Sequence, residues 1–176
     1  MDLETLKYPI GTFKKPDSFQ ASQIQAYLQT IIDFPHLLQK EVDLLSDVQL
    51  DTPYRPDGWT IRQVVHHCAD SHMNAFIRFK LTLTEENPTI RPYQEALWAQ
   101  LADSRMPVSP SLKLIEGLHA RMAELWKTLS ATDLQKRYVH PQYQTEYSLA
   151  EAMALYDWHS RHHLAHITVL KKQKGW

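Results

Sequence analysis

The stretch His159-Ser160-Arg161-His162-His163-Leu164-Ala165-His166 carries four imidazoles, and His66-His67-Cys68-Ala69-Asp70-Ser71-His72 carries three more. Seven of the ten histidines thus lie in two short windows. A neutral imidazole nitrogen is a good ligand for zinc, nickel, copper or iron. Residues four apart share one face of a helix, so His159/His163 and His162/His166 can each converge on a single ion. At about 100° per residue, the apolar stripe of that segment runs through Leu149, Ala152, Met153, Tyr156, Ile167 and Leu170. His159 and His163 fall on or beside the stripe, and His162 and His166 lie further round. A ligand pair must face inward to meet a ligand from another helix, which favours His159/His163.

Spacing leaves the first window open. Its stripe, Ile61, Val65, Cys68, Phe76 and Phe79, is centred near His72, with His66 and His67 flanking on opposite sides. Phase alone makes His72 the inward residue, as a ligand or as a core histidine bonded to a neighbour. A flanking residue still reaches a site in a bundle, because each helix touches two others. Cys68 reads as a buried structural thiol before a soft ligand. The metalloprotease pattern H-E-x-x-H is absent, and no carboxylate stands at a recognised offset. Asp70 and Asp157 are the candidates for a general base or for orienting a ligand; the plainer reading puts both on solvated helix faces.

Four long helices are expected to position these groups. The first spans about 19–45, with apolar residues recurring at three and four from Ile24 to Leu45. Pro35 lies inside it and predicts a kink or two helices meeting there. The second runs from the capping box Thr60-Ile61-Arg62-Gln63 to about Thr84. Residues 85–109 hold three prolines, and a short helix is expected near Tyr93–Ala102. The third helix starts at Ser109-Pro110, read as a cap and a first-turn proline, and continues to Leu129. A small hairpin is predicted within 131–147. The fourth helix opens with the capping box Ser148-Leu149-Ala150-Glu151 and runs to about Lys172. An internal echo is visible: Ser46-Asp47-Val48-Gln49 precedes one histidine helix and Thr132-Asp133-Leu134-Gln135 the other. His67 follows its cap by 7 residues and His159 by 11, which differ by about one helical turn. A pseudo-two-fold, all-α bundle follows from that pattern.

Composition narrows the class. A chain of 176 residues with 43% apolar and 22% charged residues is one globular domain, 1–176, able to bury a core. Its 19 basic residues against 20 acidic ones, net −1, exclude a large basic footprint for nucleic acid. Four glycines argue against a turn-rich β fold and against a phosphate loop. The single Cys68 excludes an internal disulfide framework and fits a reducing, cytoplasmic setting. The N-terminal residues lack a signal-peptide pattern, and no apolar run is long enough for a membrane span.

Five segments together resemble the DinB/YfiT-like superfamily and, within it, the YfiT-type metal-dependent hydrolases. They are Tyr8-Pro9-Ile10-Gly11, Leu50-Asp51-Thr52-Pro53-Tyr54-Arg55, Gly58-Trp59 through His66-His67, Ala69-Asp70-Ser71-His72-Met73-Asn74, and Trp158-His159 through His166-Ile167. The resemblance covers essentially the whole chain. It implies a four-helix bundle, usually a homodimer, holding one divalent ion, zinc or nickel, through three histidines. Carried over position by position, the ligands are His67, His159 and His163; the second-helix ligand is thus His67 rather than the phase-favoured His72.

Three histidines leave a coordination position open, the arrangement of a catalytic rather than a structural zinc. Metal-assisted hydrolysis of an unknown small molecule is the first expectation. Some members of the resembled superfamily are thiol transferases, so metal-bound thiolate chemistry with a low-molecular-weight thiol is the second. A non-catalytic, metal-binding dimer is the third. Loss of any of the three histidines should abolish stoichiometric metal, while His36 and His119 should be dispensable for it. Imidazoles bind metal only when deprotonated, so affinity should fall below about pH 6.

Overall fold

The computed structural model describes residues 2–176; the single-domain expectation over 1–176 reaches Met1, which lies outside them. Four long helices form a bundle: α2 (Ala21–Val42), α4 (Ile61–Thr84), α6 (Ser109–Lys127) and α8 (Leu149–Lys174). Short helices α1 (Leu3–Lys7), α3 (Asp47–Leu50), α5 (Glu95–Trp98) and α7 (Ala131–Gln135) join or precede them, with a 3₁₀ turn at Ala102–Arg105. The expected hairpin forms as β1 (Arg137–His140) and β2 (Thr145–Ser148), antiparallel, with Arg137 opposite Ser148 and His140 opposite Thr145. In the bundle α2 packs against both α6 and α8, and so does α4.

The starts of the histidine helices are set locally. The Thr60 hydroxyl accepts from the Gln63 N–H at 3.1 Å, and the Gln63 side chain accepts from the Thr60 N–H at 3.0 Å. Ser148 and Glu151 do the same at the head of α8, at 3.2 and 2.7 Å. Each such exchange satisfies two of the donors that a helix start leaves free. The echo seen in the sequence is physical: α3 and α7 are one-turn helices with capping boxes of their own, at Ser46 and Ser130, before α4 and before the hairpin leading to α8. The second box opens at Ser130, with Asp133 as its other member, so it begins two residues before the echoed segment Thr132–Gln135. Arg62, buried in the first turn of α4, fastens α3 to it through Asp51 at 2.6 Å and Asp47 at 2.7 Å.

Three boundaries differ from the sequence reading. Residues 93–102 hold only the single turn α5 and the start of a short 3₁₀ turn rather than one helix. The N-cap of α6 is Val108, so Ser109 is already helical and gives no side-chain cap. Pro35 does not split the first long helix; α2 runs unbroken through it.

The core has two apolar clusters. One gathers Ile31, Phe79, Met122, Trp126 and Met153; the other gathers Phe34, Leu38, Val65, Ile115 and Ile167. His72 touches both, stacking on Phe34 at 5.4 Å and meeting Tyr156 edge-on at 5.2 Å. Among the described residues, no helix is long and apolar enough to cross a membrane.

Candidate metal centre

The fold brings His67 of α4 against His159 and His163 of α8. Their candidate ligand atoms all lie within 4.8 Å of one another. The His67 and His159 Nε2 atoms are 3.2 Å apart. Two nitrogens each about 2.05 Å from one ion would stand about 2.9 Å apart at a right angle and about 3.3 Å apart at the tetrahedral angle. The observed spacing lies between these limits, so the donors fit a divalent ion. The Nδ1 of His163 is buried and without a hydrogen-bond partner, a polar atom that the protein itself leaves unsatisfied at this point.

The centre is apolar enough to keep its donors neutral. Burial lowers the His67 pKa to about 4, with His166 a smaller contributor. Burial also holds His159 and His163 well below the ordinary imidazole value, and neighbouring imidazoles add to it. Neutral rings are the form a metal binds, so no proton has to leave at neutral pH. Trp59, in the loop before α4, lies against His67 with ring centres 4.6 Å apart.

The remaining histidines of the two windows have other employment. His66 donates its Nε2–H to the Met106 carbonyl at 3.1 Å and accepts the Ser111 hydroxyl at 2.7 Å. His166 donates Nε2–H to the Lys7 carbonyl at 3.1 Å and stacks on Tyr54 at 3.9 Å. His162 stacks on Trp158 at 4.3 Å and lies beside the tilted ring of Tyr8 at 6.0 Å. His162, His163 and His166 also cluster closely enough to hold an ion. All three come from neighbouring turns of one helix, however, and the Lys7 carbonyl already occupies one of the His166 nitrogens. His162 and His166 instead hold the N-terminal segment on the bundle.

His72 is fully buried and does bond a neighbour, in fact two: His119 at 2.7 Å and His159 at 3.0 Å. Cys68 is buried among apolar residues, and burial pushes its thiol pKa far up, which leaves it inert. Asp157 accepts from Thr30 at 2.6 Å and pairs with Arg161, tying α2 to α8. Asp70 is half-buried beside Asp103; burial first, then that carboxylate, raise its pKa to about 6. Neither aspartate lines the cavity onto which the three histidines open.

That cavity, about 460 Å³, was not foreseen in the sequence. Its walls include Arg78, Tyr93, Glu95 and His140. Arg78 and His140 each bury a guanidinium or ring nitrogen, Nε and Nδ1, with no partner, and the Tyr93 hydroxyl is likewise buried and unpaired. Burial raises the Glu95 pKa, and Arg78 opposes it. Tyr93 and Glu95 come from the irregular segment 85–109, whose lack of periodicity hid them; Arg78 lies near the end of α4 with no motif around it.

Comparison with known proteins agrees with this architecture. A profile of the DinB superfamily matches residues 32–167. A Bacillus cereus (strain G9842) protein named "Putative metal-dependent hydrolase" is 51% identical over 174 residues, covering 99% of this chain and 100% of that protein. The structure of YfiT from Bacillus subtilis, described as "a probable metal-dependent hydrolase with an unusual four-helix bundle topology", superposes with a TM-score of 0.95 at 47% identity, covering 98% of this chain and 99% of that one. A mycothiol-dependent maleylpyruvate isomerase shares the fold at a TM-score of 0.63 and 16% identity, over 84% of this chain and 60% of that one. The profile match, the full-length relatives and the four-helix bundle lead to one conclusion: the chain belongs to the DinB superfamily.

Proposed function

We propose that this protein is a metal-dependent hydrolase whose ion, zinc or nickel, is held by His67, His159 and His163. The observation that carries this reading is the convergence of three neutral imidazoles, one pair with Nε2 atoms 3.2 Å apart, at the wall of a cavity that also carries Arg78, Tyr93 and Glu95. A divalent ion there would lower the pKa of a bound water toward about 7 and so furnish hydroxide at neutral pH. The chain's own residues divide the remaining work. Arg78 contributes positive charge to the cavity, and its unpaired Nε suits a carboxylate or other anionic group on the substrate. Glu95, the carboxylate among the cavity's walls, has its pKa raised by burial and is the group placed to exchange a proton with a bound reactant. Trp59 and the cavity tyrosines exclude water from one side of the reacting group.

The decisive experiment pairs metal analysis with an activity screen. Purified protein is assayed for bound zinc and nickel, then for hydrolysis of carboxylated aryl esters and amides, before and after chelation. Hydrolysis that is lost on chelation and restored by metal supports the reading. Conjugation of a low-molecular-weight thiol to an electrophile, without hydrolysis, would move the same site to thiol transfer. Stoichiometric metal with neither product would leave a binding protein.

A further inference from the structure

Pro35 has no N–H, so the Ile31 carbonyl one turn earlier on α2 lacks its helical donor. A buried carbonyl left in this way needs another donor. His119 of α6 supplies it, with Nδ1 2.7 Å from the Ile31 oxygen. A carbonyl oxygen only accepts, so that nitrogen carries the proton. In a neutral ring the other nitrogen, Nε2, is then a lone pair. It sits 2.7 Å from Nδ1 of His72 on α4, which must therefore donate. His72 Nε2 is left as an acceptor and sits 3.0 Å from Nδ1 of His159 on α8. His159 in turn donates, and its Nε2 is left as the lone pair that faces His67 at 3.2 Å.

One carbonyl at the far side of the bundle thus sets the polarity of three imidazoles in series. The chain passes through all four long helices. Phe34 stacks on both inner rings, at 5.4 and 5.5 Å, and the rings of His72 and His119 lie 4.8 Å apart and nearly parallel. Both are almost wholly buried, so no solvent competes for their nitrogens.

We propose that His72 and His119 are positioning residues which hold His159 as the Nδ1–H tautomer, with Nε2 presented to the metal, by a one-way hydrogen-bond chain anchored on the Ile31 carbonyl. The proposal rests on His159 being a metal ligand only for its purpose; the hydrogen-bond geometry of the chain is independent of that reading. A ligand ring fixed in tautomer and orientation by its second nitrogen binds metal more tightly, and losing such a partner typically costs about 10–100-fold in affinity.

Nitrogen-15 NMR of the imidazoles tests this in the full-length protein, metal-free and zinc-loaded. His72, His119 and His159 are expected as Nδ1–H tautomers in both states. An Nε2–H tautomer at any of the three in the metal-free protein overturns the proposal, whatever the protein does with zinc. Two pairs of variants sharpen the result. His119→Leu breaks the chain away from the metal and should mix the His159 tautomers and weaken zinc binding about 10–100-fold. His119→Gln can still donate to Ile31 and accept from His72, so it should keep most of the affinity and the His159 tautomer. His72→Phe and His72→Gln repeat the contrast one ring closer. A folded His119→Leu protein with wild-type tautomers and zinc affinity would sink the idea. If a variant fails to fold, the wild-type spectrum decides alone. Failure of the wild-type protein to bind zinc at all would instead remove the metal reading while leaving the tautomers as measured.

Discussion

The two edges of the His159 ring face opposite environments. At Nε2 the ring meets His67, lies near His163, and borders a cavity with unpaired polar atoms. At Nδ1 it meets His72, and beyond that a closed, stacked and fully bonded series ending on a backbone oxygen. The same residue type serves both sides. On the first, three candidate ligand nitrogens converge within 4.8 Å of one another; on the second, every nitrogen has a single partner. The contrast teaches that histidine count does not mark the site. What marks it is several unpaired buried polar atoms gathered round one cavity, among them His163 Nδ1, Arg78 Nε, His140 Nδ1 and the Tyr93 hydroxyl. A buried donor or acceptor without a partner costs about 1–3 kcal/mol, so a cluster of them is tolerated where something else satisfies it.

Removing a ligand should break that comparison most severely. His67→Ala, His159→Ala and His163→Ala are each expected to lose stoichiometric zinc, as measured by elemental analysis of the purified proteins. His36→Ala should keep full occupancy. Full occupancy in all three ligand variants would disprove the assignment. His119, dispensable for stoichiometry on the sequence reading, should still be so at saturating zinc, and should show its role only in affinity.

The pieces of this site were unequally visible beforehand. The four long helices and their caps were legible because apolar residues at three and four, and S/T-x-x-E/Q boxes, are local signals. The same periodicity favoured His159 and His163 over His162 and His166, but it did not separate the pairs by burial: His162, His163 and His166 are all buried and His159 is half-buried. It did not favour His67, since its phase is that of a flank, and only the family resemblance singled it out. His119 carries no local signal at all: a lone histidine on an amphipathic helix acquires its meaning from Ile31, 88 residues earlier, and His72, 47 residues earlier. Pro35 was legible as a disturbance, yet its consequence is a vacant carbonyl rather than a broken helix. Glu95 and Tyr93 lay in a segment without a period, where side-chain direction cannot be read from spacing.

The pH dependence should be the next largest effect. Burial holds His67, His119 and His166 at about 4 in the folded protein, against 6.5 for an ordinary imidazole. Between those values the unfolded chain takes up protons that the fold refuses. The stabilisation from neutral burial is therefore complete above about pH 6.5 and declines as pH falls toward 4. Chemical denaturation of the metal-free protein at several pH values should show stability rising from pH 4 to 6.5 and then levelling. The same burial moves the loss of zinc affinity to lower pH than the value near 6 expected for free imidazoles. A midpoint for zinc release at or above 6.5 would contradict the neutral, enclosed donor set.

The neighbouring histidines offer a smaller and more selective test. His166→Phe keeps a ring against Tyr54 but removes the bond to the Lys7 carbonyl. About 1 kcal/mol of stability should be lost, with zinc stoichiometry unchanged, since a typical hydrogen bond contributes about that much. Loss of zinc in this variant would mean that His162, His163 and His166 form the true centre.

The finest distinction concerns Pro35. A proline inside a helix ordinarily costs about 3 kcal/mol, part of it from the unpaired carbonyl one turn back. Here His119 already satisfies that carbonyl, so Pro35→Ala should gain well under that amount, with zinc affinity nearly unchanged. The informative measurement is the double-mutant cycle with His119→Leu. In the parent, His119→Leu leaves the Ile31 oxygen buried and unpaired. In the Pro35→Ala background, the backbone N–H restored at position 35 takes that oxygen, so the same substitution should cost about 1–2 kcal/mol less. The unpaired His72 Nδ1–H is common to both backgrounds and cancels. Additive effects would mean that the Ile31 carbonyl does not anchor the chain, and the order imposed on His159 would have to originate at the metal instead.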